Sequence, residues 1–82
     1  MVVEVIWPDG HHDTATSWVA LEEHVRRDQW HRYGRLGFRL SMRHRADVWS
    51  RSRLSMFVSS ATFFREMEQA GMLRIVADDE GH

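Results

Sequence analysis

Hydrophobic and polar positions first follow the period of a β-hairpin. Residues 2–7 (VVEVIW) alternate loosely and are apolar on both sides, which favours a central strand. Residues 8–10 (PDG) are typical of a tight turn, because proline presets φ, aspartate can bond the nearby backbone and glycine accepts a positive φ. Residues 11–16 (HHDTAT) are polar and predict an edge strand that closes the hairpin.

The pattern then changes to the period of an α-helix. Trp18, Leu21 and Val25 recur at helical spacing in residues 18–30, and Ser17 is a suitable N-cap for this first helix. Glutamates and arginines four residues apart predict ion pairs on the exposed side of the helix, namely Glu22–Arg26 and Glu23–Arg27.

A second helix is predicted at roughly residues 37–50, after a connector at 31–37 that contains two glycines. Phe38, Met42 and Trp49 project within about 40° of one another around its axis. These three side chains should therefore face the interior.

A third helix is predicted at residues 61–70, with Ser59 or Ser60 as its N-cap and Gly71 as its C′ residue. Residues 72–76 (MLRIV) are aliphatic and β-branched, and they predict a final strand.

The element order is therefore β-β-α-α-α-β, and residues 1–82 should form a single small α+β domain. We expect a sheet of about three strands with three helices packed on it, and a frayed acidic tail at 77–82. If the first and last strands pair in parallel, the helices form a right-handed crossover between them. The predicted core consists of Trp18, Leu21, Val25, Phe38, Met42, Trp49, Phe63 and Met67.

Composition agrees with one compact, soluble domain. The chain has 82 residues, is 43% hydrophobic and has no cysteine, so disulfides and thiolate metal sites are excluded. No apolar run approaches the roughly 18 residues of a membrane span, and no signal peptide is visible. We expect a cytoplasmic protein.

Arginines concentrate in the middle of the chain. Residues 26–53 hold nine arginines and two aspartates, a net charge of +7, whereas the remainder holds two arginines and ten acidic residues, a net charge of −8. All eleven basic residues are arginine, which is typical of GC-rich coding rather than of selection for function. The separation of charge is more informative, because separated fields can steer a partner.

Three interpretations of this basic segment stay open. A nucleic acid would be held by arginines on phosphates and by an aromatic side chain stacked on a base. On the second interpretation, the same side chains are hot spots that bind an acidic protein. On the third, the arginine stems only cover the edge of the hydrophobic core. The candidate partner surface comprises Trp30, Tyr33, Arg39, Arg43, Arg45, Arg51 and Arg53. The acid-rich ends and the net charge of −1 favour a protein over a nucleic acid.

The histidines of the hairpin suggest a metal only weakly. Adjacent strand residues point to opposite faces, so only His11 and Asp13 can share an ion. Two ligands fall short of the three or four that zinc requires. Completion of the set would depend on the tertiary position of another histidine, from His24, His31, His44 and His82. The sequence therefore predicts no metal site and no other cofactor.

The sequence also predicts that the protein is not an enzyme. It contains no nucleophile elbow, zinc-protease, P-loop or dinucleotide-binding motif. His24 and Asp28 have the spacing for a hydrogen bond, but paired carboxylates such as Glu22–Glu23 and Glu66–Glu68 lie on predicted charged faces, where solvation explains them most simply. A chain of this size also has little volume for an enclosed pocket of about 300 Å³ or more.

Two resemblances extend this picture. Residues 57–76 (FVSSATFFREMEQAGMLRIV) resemble the recognition-helix region of winged helix-turn-helix regulators, in which a strand opens the wing after the helix. That resemblance implies that Ser60, Thr62, Phe63 and Arg65 lie near a nucleic-acid groove. It departs from the family in that the chain ends after one strand and the helix carries two glutamates.

A second resemblance covers most of the chain. The segments WPDG, SWVALEEHVRRDQW, RHRADVWS and FFREMEQAGMLRI, in this order, resemble small, functionally uncharacterised proteins of actinobacteria and their bacteriophages, of the mycobacteriophage type. It implies a phage accessory protein in the host cytoplasm, which binds a host component or itself. A nucleic-acid-binding regulator related to winged helix-turn-helix proteins is the alternative.

Overall fold

The computed structural model describes residues 2–29, 32 and 34–79. Its elements are β1 (Val3–Ile6), β2 (His12–Ala15), α1 (Trp18–Gln29), α2 (Arg35–Ser50), α3 (Ser60–Gln69) and β3 (Arg74–Asp78). This order confirms the predicted α+β class with three strands and three helices.

The three strands form one antiparallel sheet in the order β2-β1-β3. β1 is the central strand and β2 is an edge strand, as the hydrophobic pattern predicts. The first and last strands pair antiparallel rather than parallel, so the chain makes no parallel crossover between them. The register places Val5 opposite Asp13, and Val3 opposite Ala15, on the same face of the sheet.

The predicted turn and caps are present where the sequence places them. Gly10 has φ +90° and donates its N–H to the carbonyl of Trp7 at 2.8 Å. The Ser17 hydroxyl accepts the N–H of Ala20 at 3.1 Å at the start of α1. Ser59, rather than Ser60, is the N-cap of α3, and Gly71 follows that helix with φ +78°. Each of these features is local, which is why the residue types predict it.

The hydrophobic core contains seven of the eight predicted residues, and Trp49 is the exception. Trp49 is 85% exposed. The side of α2 that meets the rest of the protein follows residues four apart, with Phe38, Met42 and Ala46 buried and the Ser50 hydroxyl donating to the carbonyl of Ala70 at 2.6 Å. A row of residues four apart winds around a helix by about 40° per step, so at its C-terminal end it has moved away from Trp49.

Residues 77–79, predicted to belong to a frayed tail, are part of the sheet or bonded to it. Strand β3 continues through Ala77 and Asp78, which pair with β1, and the N–H of Asp79 donates to the carbonyl of Val2 at 3.0 Å. Residues 80–82 of that predicted tail lie outside the described residues. Within the described ranges, no helix has the length and apolar character required to cross a bilayer.

Candidate functional site

Arg39 was predicted to lie on the partner surface, but its side chain is buried. It is 3% exposed, and its Nε and Nη2 atoms donate to the two carboxylate oxygens of Glu22 at 2.7 and 2.9 Å. Its Nη1 atom donates to the carbonyls of Met56 and Val58 at 3.0 and 2.7 Å. The guanidinium therefore joins α1, α2 and the loop that precedes α3.

Glu22 is the buried partner of Arg39 and is 2% exposed, contrary to the prediction that it is solvated and paired with Arg26. It also accepts the Ser60 hydroxyl at 2.6 Å and Arg35 Nε at 3.3 Å. Burial raises the pKa of this carboxyl, but the hydrogen bonds from Arg39 and Ser60 and the two arginine charges outweigh burial and hold the pKa below its ordinary value. The buried carboxylate and the buried guanidinium of this network therefore compensate each other, and Arg35 adds a second, half-exposed arginine.

The predicted ion pairs on α1 are present only for Glu23. Its carboxylate pairs with Arg26, three residues on, and with Arg27 at 3.5 Å. The hydrogen bond from Arg26 is the main cause that holds the pKa of the Glu23 carboxyl below its usual value, and Arg27 acts in the same direction. These contacts lie on the surface and contribute little to stability.

The opposite side of α2 exposes a row of side chains to solvent. We call Leu36, Leu40, His44 and Val48 the outer row, because they too are four residues apart and lie on the side of the helix away from the core. The three aliphatic members are each more than half exposed. An open groove reaches the middle of this row at Leu40 and His44. Its lining residues are Gly37, Leu40, Ser41, Arg43, His44, Arg45, Asp47 and Arg53.

Arginines flank the outer row. Arg43 and Arg45 come from α2 itself and Arg53 from the following loop, and all three line the groove. Arg51 is exposed at the end of α2 in a left-handed conformation, with φ 52°. The structure therefore brings three predicted surface arginines together. Trp30 and Tyr33, the two predicted stacking residues, lie outside the described residues.

Two large aromatic side chains are exposed at the end of α2 and in the loop that follows it. Trp49 in the last turn of α2 is exposed, and Phe57 in the loop before α3 is 88% exposed. Phe57 was not among the predicted surface residues. A large exposed aromatic side chain is a frequent anchor in a protein interface.

A second polar cluster lies between β2 and α1. Asp13 is on the covered face of β2, and its Oδ1 atom lies 3.3 Å from Nε2 of His11 and 3.3 Å from Nε2 of His24 on α1. His24 Nε2 also lies 3.4 Å from an oxygen of Asp28, and the second oxygen of Asp13 accepts the indole N–H of Trp7 at 2.6 Å.

The sequence predicted two separate pairs of this cluster but not the contact between them. The pairing of His11 with Asp13 and the spacing of His24 and Asp28 are both visible in the chain, whereas the contact between them depends on how α1 packs on β2. His31 and His82, two other histidines considered as ligands, lie outside the described residues. His12 points to the other face of β2, where its Nδ1 atom lies 2.7 Å from a Glu4 oxygen.

Helix α3 presents few of the side chains that a recognition helix would use. Ser60 and Phe63 are buried, and the Arg65 guanidinium donates to Asp78 at 3.0 Å. Strand β3 pairs with β1 in the main sheet.

Comparisons with protein-family models, with curated proteins and with solved structures find no match to this chain.

Proposed function

We propose that this protein is a non-enzymatic binding module that docks on another protein through the outer row of α2. The observation that carries the proposal is the exposure of Leu36, Leu40 and Val48 along one line of a helix whose opposite side packs on the core. A surface helix normally places polar residues on its solvent side, so an aliphatic row there favours a further contact.

Burial of this row would stabilise a complex. Apolar surface removed from water contributes about 25 cal/mol per Å², so aliphatic side chains this exposed offer a useful driving force without any change in the fold. Trp49 at the end of the same helix adds a large exposed side chain that can act as an anchor.

The charges beside the row favour an acidic partner. Arg43, Arg45 and Arg53 line the groove, with Asp47 as its acidic residue. A complementary segment would present apolar side chains flanked by glutamates or aspartates, as an acidic amphipathic helix does. The arginines would steer such a segment towards the groove and fix its orientation.

The same arrangement favours a protein over a nucleic acid. Phosphates need a continuous positive surface, whereas the lining of this groove also includes the apolar Leu40 and the acidic Asp47. The burial of Ser60 and Phe63 also removes side chains that a recognition helix would insert into a groove. Binding to nucleic acid therefore remains the alternative outcome of the test.

The resemblance to small phage proteins stays a prediction. On that prediction the partner is a protein of the host, and a second copy of the chain is the competing occupant. Self-association is distinguished by sedimentation of the purified protein, in which a monomer at micromolar concentration leaves the outer row available.

The test compares capture by the wild type with capture by a variant of the outer row. Leu36→Ser/Leu40→Ser/Val48→Ser should fold normally, because its changes are exposed, and should lose the captured protein. The matched control is Val19→Ser on α1, where the side chain is 59% exposed, the same fraction as for Leu40.

Each capture is repeated after nuclease treatment. We expect a partner that survives nuclease, is lost with the outer-row variant and is retained by Val19→Ser. We expect the protein to bind duplex DNA no tighter than about 10 µM. The proposal would be overturned in favour of a nucleic-acid-binding regulator if nuclease abolished the capture and duplex DNA bound with sub-micromolar, strongly salt-dependent affinity.

A further inference from the structure

We propose that the cluster between β2 and α1 is a binding site for Zn²⁺, with Asp13, His24 and Asp28 as its protein ligands. The site is separate from the outer row of α2 and does not rest on the binding function proposed for that row. One nitrogen or carboxylate oxygen from each of Asp13, His24 and Asp28 lies within 4.8 Å of the others.

The distances fit a tetrahedral ion. Zinc binds histidine nitrogen and carboxylate oxygen at about 2.0–2.1 Å, and four such ligands at the corners of a tetrahedron are about 3.3–3.4 Å apart. The observed separations are 3.3 Å for His11–Asp13, 3.3 Å for His24–Asp13 and 3.4 Å for His24–Asp28. Among the three proposed ligands, the His24–Asp13 and His24–Asp28 separations therefore have the length of a tetrahedral edge, and the Asp13–Asp28 separation is within 4.8 Å.

Direct hydrogen bonding explains these distances less well. A good hydrogen bond to a carboxylate has a heavy-atom distance of about 2.7–3.0 Å. The His12–Glu4 contact on the other face of the same strand has that length, 2.7 Å. In the cluster, by contrast, His24 Nε2 lies 3.3 Å from an Asp13 oxygen and 3.4 Å from an Asp28 oxygen, which is the spacing of ligands around a shared ion.

The burial of Asp13 also favours a cation beside it. Its side chain is 3% exposed, and a buried carboxylate is costly unless a cation or several hydrogen bonds compensate it. In the described part of the chain its polar contacts are two imidazoles and one indole N–H. A divalent cation between Asp13 and His24 would compensate the buried carboxylate directly.

Trp7 would orient the Asp13 carboxylate for metal binding. Its indole N–H donates to Asp13 Oδ2 and leaves Oδ1 facing the two histidines, so the hydrogen bond orients the carboxylate for an ion. Oxygen and imidazole ligands together suit zinc or another late first-row divalent metal and do not suit Mg²⁺, which prefers oxygen alone.

The first experiment titrates the full chain, without an affinity tag, with ZnCl₂ by calorimetry. We expect one ion per chain and a rise in melting temperature on addition of Zn²⁺ but not of Mg²⁺. His24→Ala should weaken Zn²⁺ binding by at least about tenfold, whereas the control His12→Ala, which removes the neighbouring histidine on the opposite face, should leave the affinity unchanged.

Asp13→Asn tests the buried ligand, and Asp28→Asn tests an exposed one in case the first variant fails to fold. Trp7→Phe should weaken Zn²⁺ binding by about tenfold although it removes no ligand, which a chance surface site would not show. Equal Zn²⁺ affinity in the wild type and His24→Ala, an equal loss in His12→Ala, or binding no tighter than that of Mg²⁺ would overturn the proposal.

Discussion

Removing the carboxylate of Glu22 should destabilise this protein far more than a change at an exposed charge. In Glu22→Gln the Arg39 guanidinium keeps its buried position and its two carbonyl partners, but its charge has no counter-ion. Breaking a buried ion pair from one side typically costs about 3–5 kcal/mol. The stability of a domain of 82 residues is about 4–12 kcal/mol, so the loss is roughly a quarter or more of the total.

Removing both charges should cost less than the two single changes together. In Glu22→Leu/Arg39→Met no charge stays buried, although Ser60 and two loop carbonyls lose a partner. The double variant should therefore be more stable than the sum of Glu22→Leu and Arg39→Met predicts, by about 1–3 kcal/mol.

The assay is urea unfolding followed by circular dichroism, with free energies extrapolated to water for the four members of the cycle. Glu23→Gln on the same helix is the control, because its carboxylate is on the surface and its loss should change stability little. The reasoning is refuted if Glu22→Gln and Glu23→Gln unfold at the same urea concentration.

Two more predictions concern the core and the response to acid. Trp49→Ala should change the free energy of unfolding by less than about 0.5 kcal/mol, whereas Phe63→Ala, at a fully buried position, should cost about 3–5 kcal/mol; equal melting temperatures for the two variants would contradict this. Because the pKa of Glu22 is lowered in the folded state, its ion pair contributes stability above the unfolded value of about 4.3 and loses it as pH falls through the folded value. Between pH 6 and pH 2 the melting temperature should therefore fall less steeply for Glu22→Gln than for the wild type. An equal fall in melting temperature for the two proteins would contradict this.

Local features of the fold could be predicted from the sequence because their causes are local. The turn at Gly10 and the caps at Ser17 and Ser59 each depend on residue types within a few positions. The alternation in β1 correctly indicated a central strand, since both of its edges are paired.

The features that were missed depend on tertiary contacts. Arg39 is adjacent to the apolar side of α2 on a helical projection, but its burial follows from Glu22, which lies 17 residues earlier in the chain. Trp49 has nearly the same projected direction as Phe38, yet the contact with the core moves around the helix and leaves it exposed. The meeting of Asp13 with His24 likewise requires the packing of a helix on an edge strand.

The outer row of α2 is tested most directly by site-specific photo-crosslinking in the cell that expresses the protein. A photo-reactive phenylalanine analogue is placed at Leu40 in one variant and at the equally exposed Val19 in another. A binding surface on α2 predicts a discrete, nuclease-resistant protein adduct from position 40 that is absent from position 19 and is lost when Leu36→Ser/Val48→Ser is added. The same adducts from both positions, or none from position 40 while an intact partner is still captured, would contradict the account.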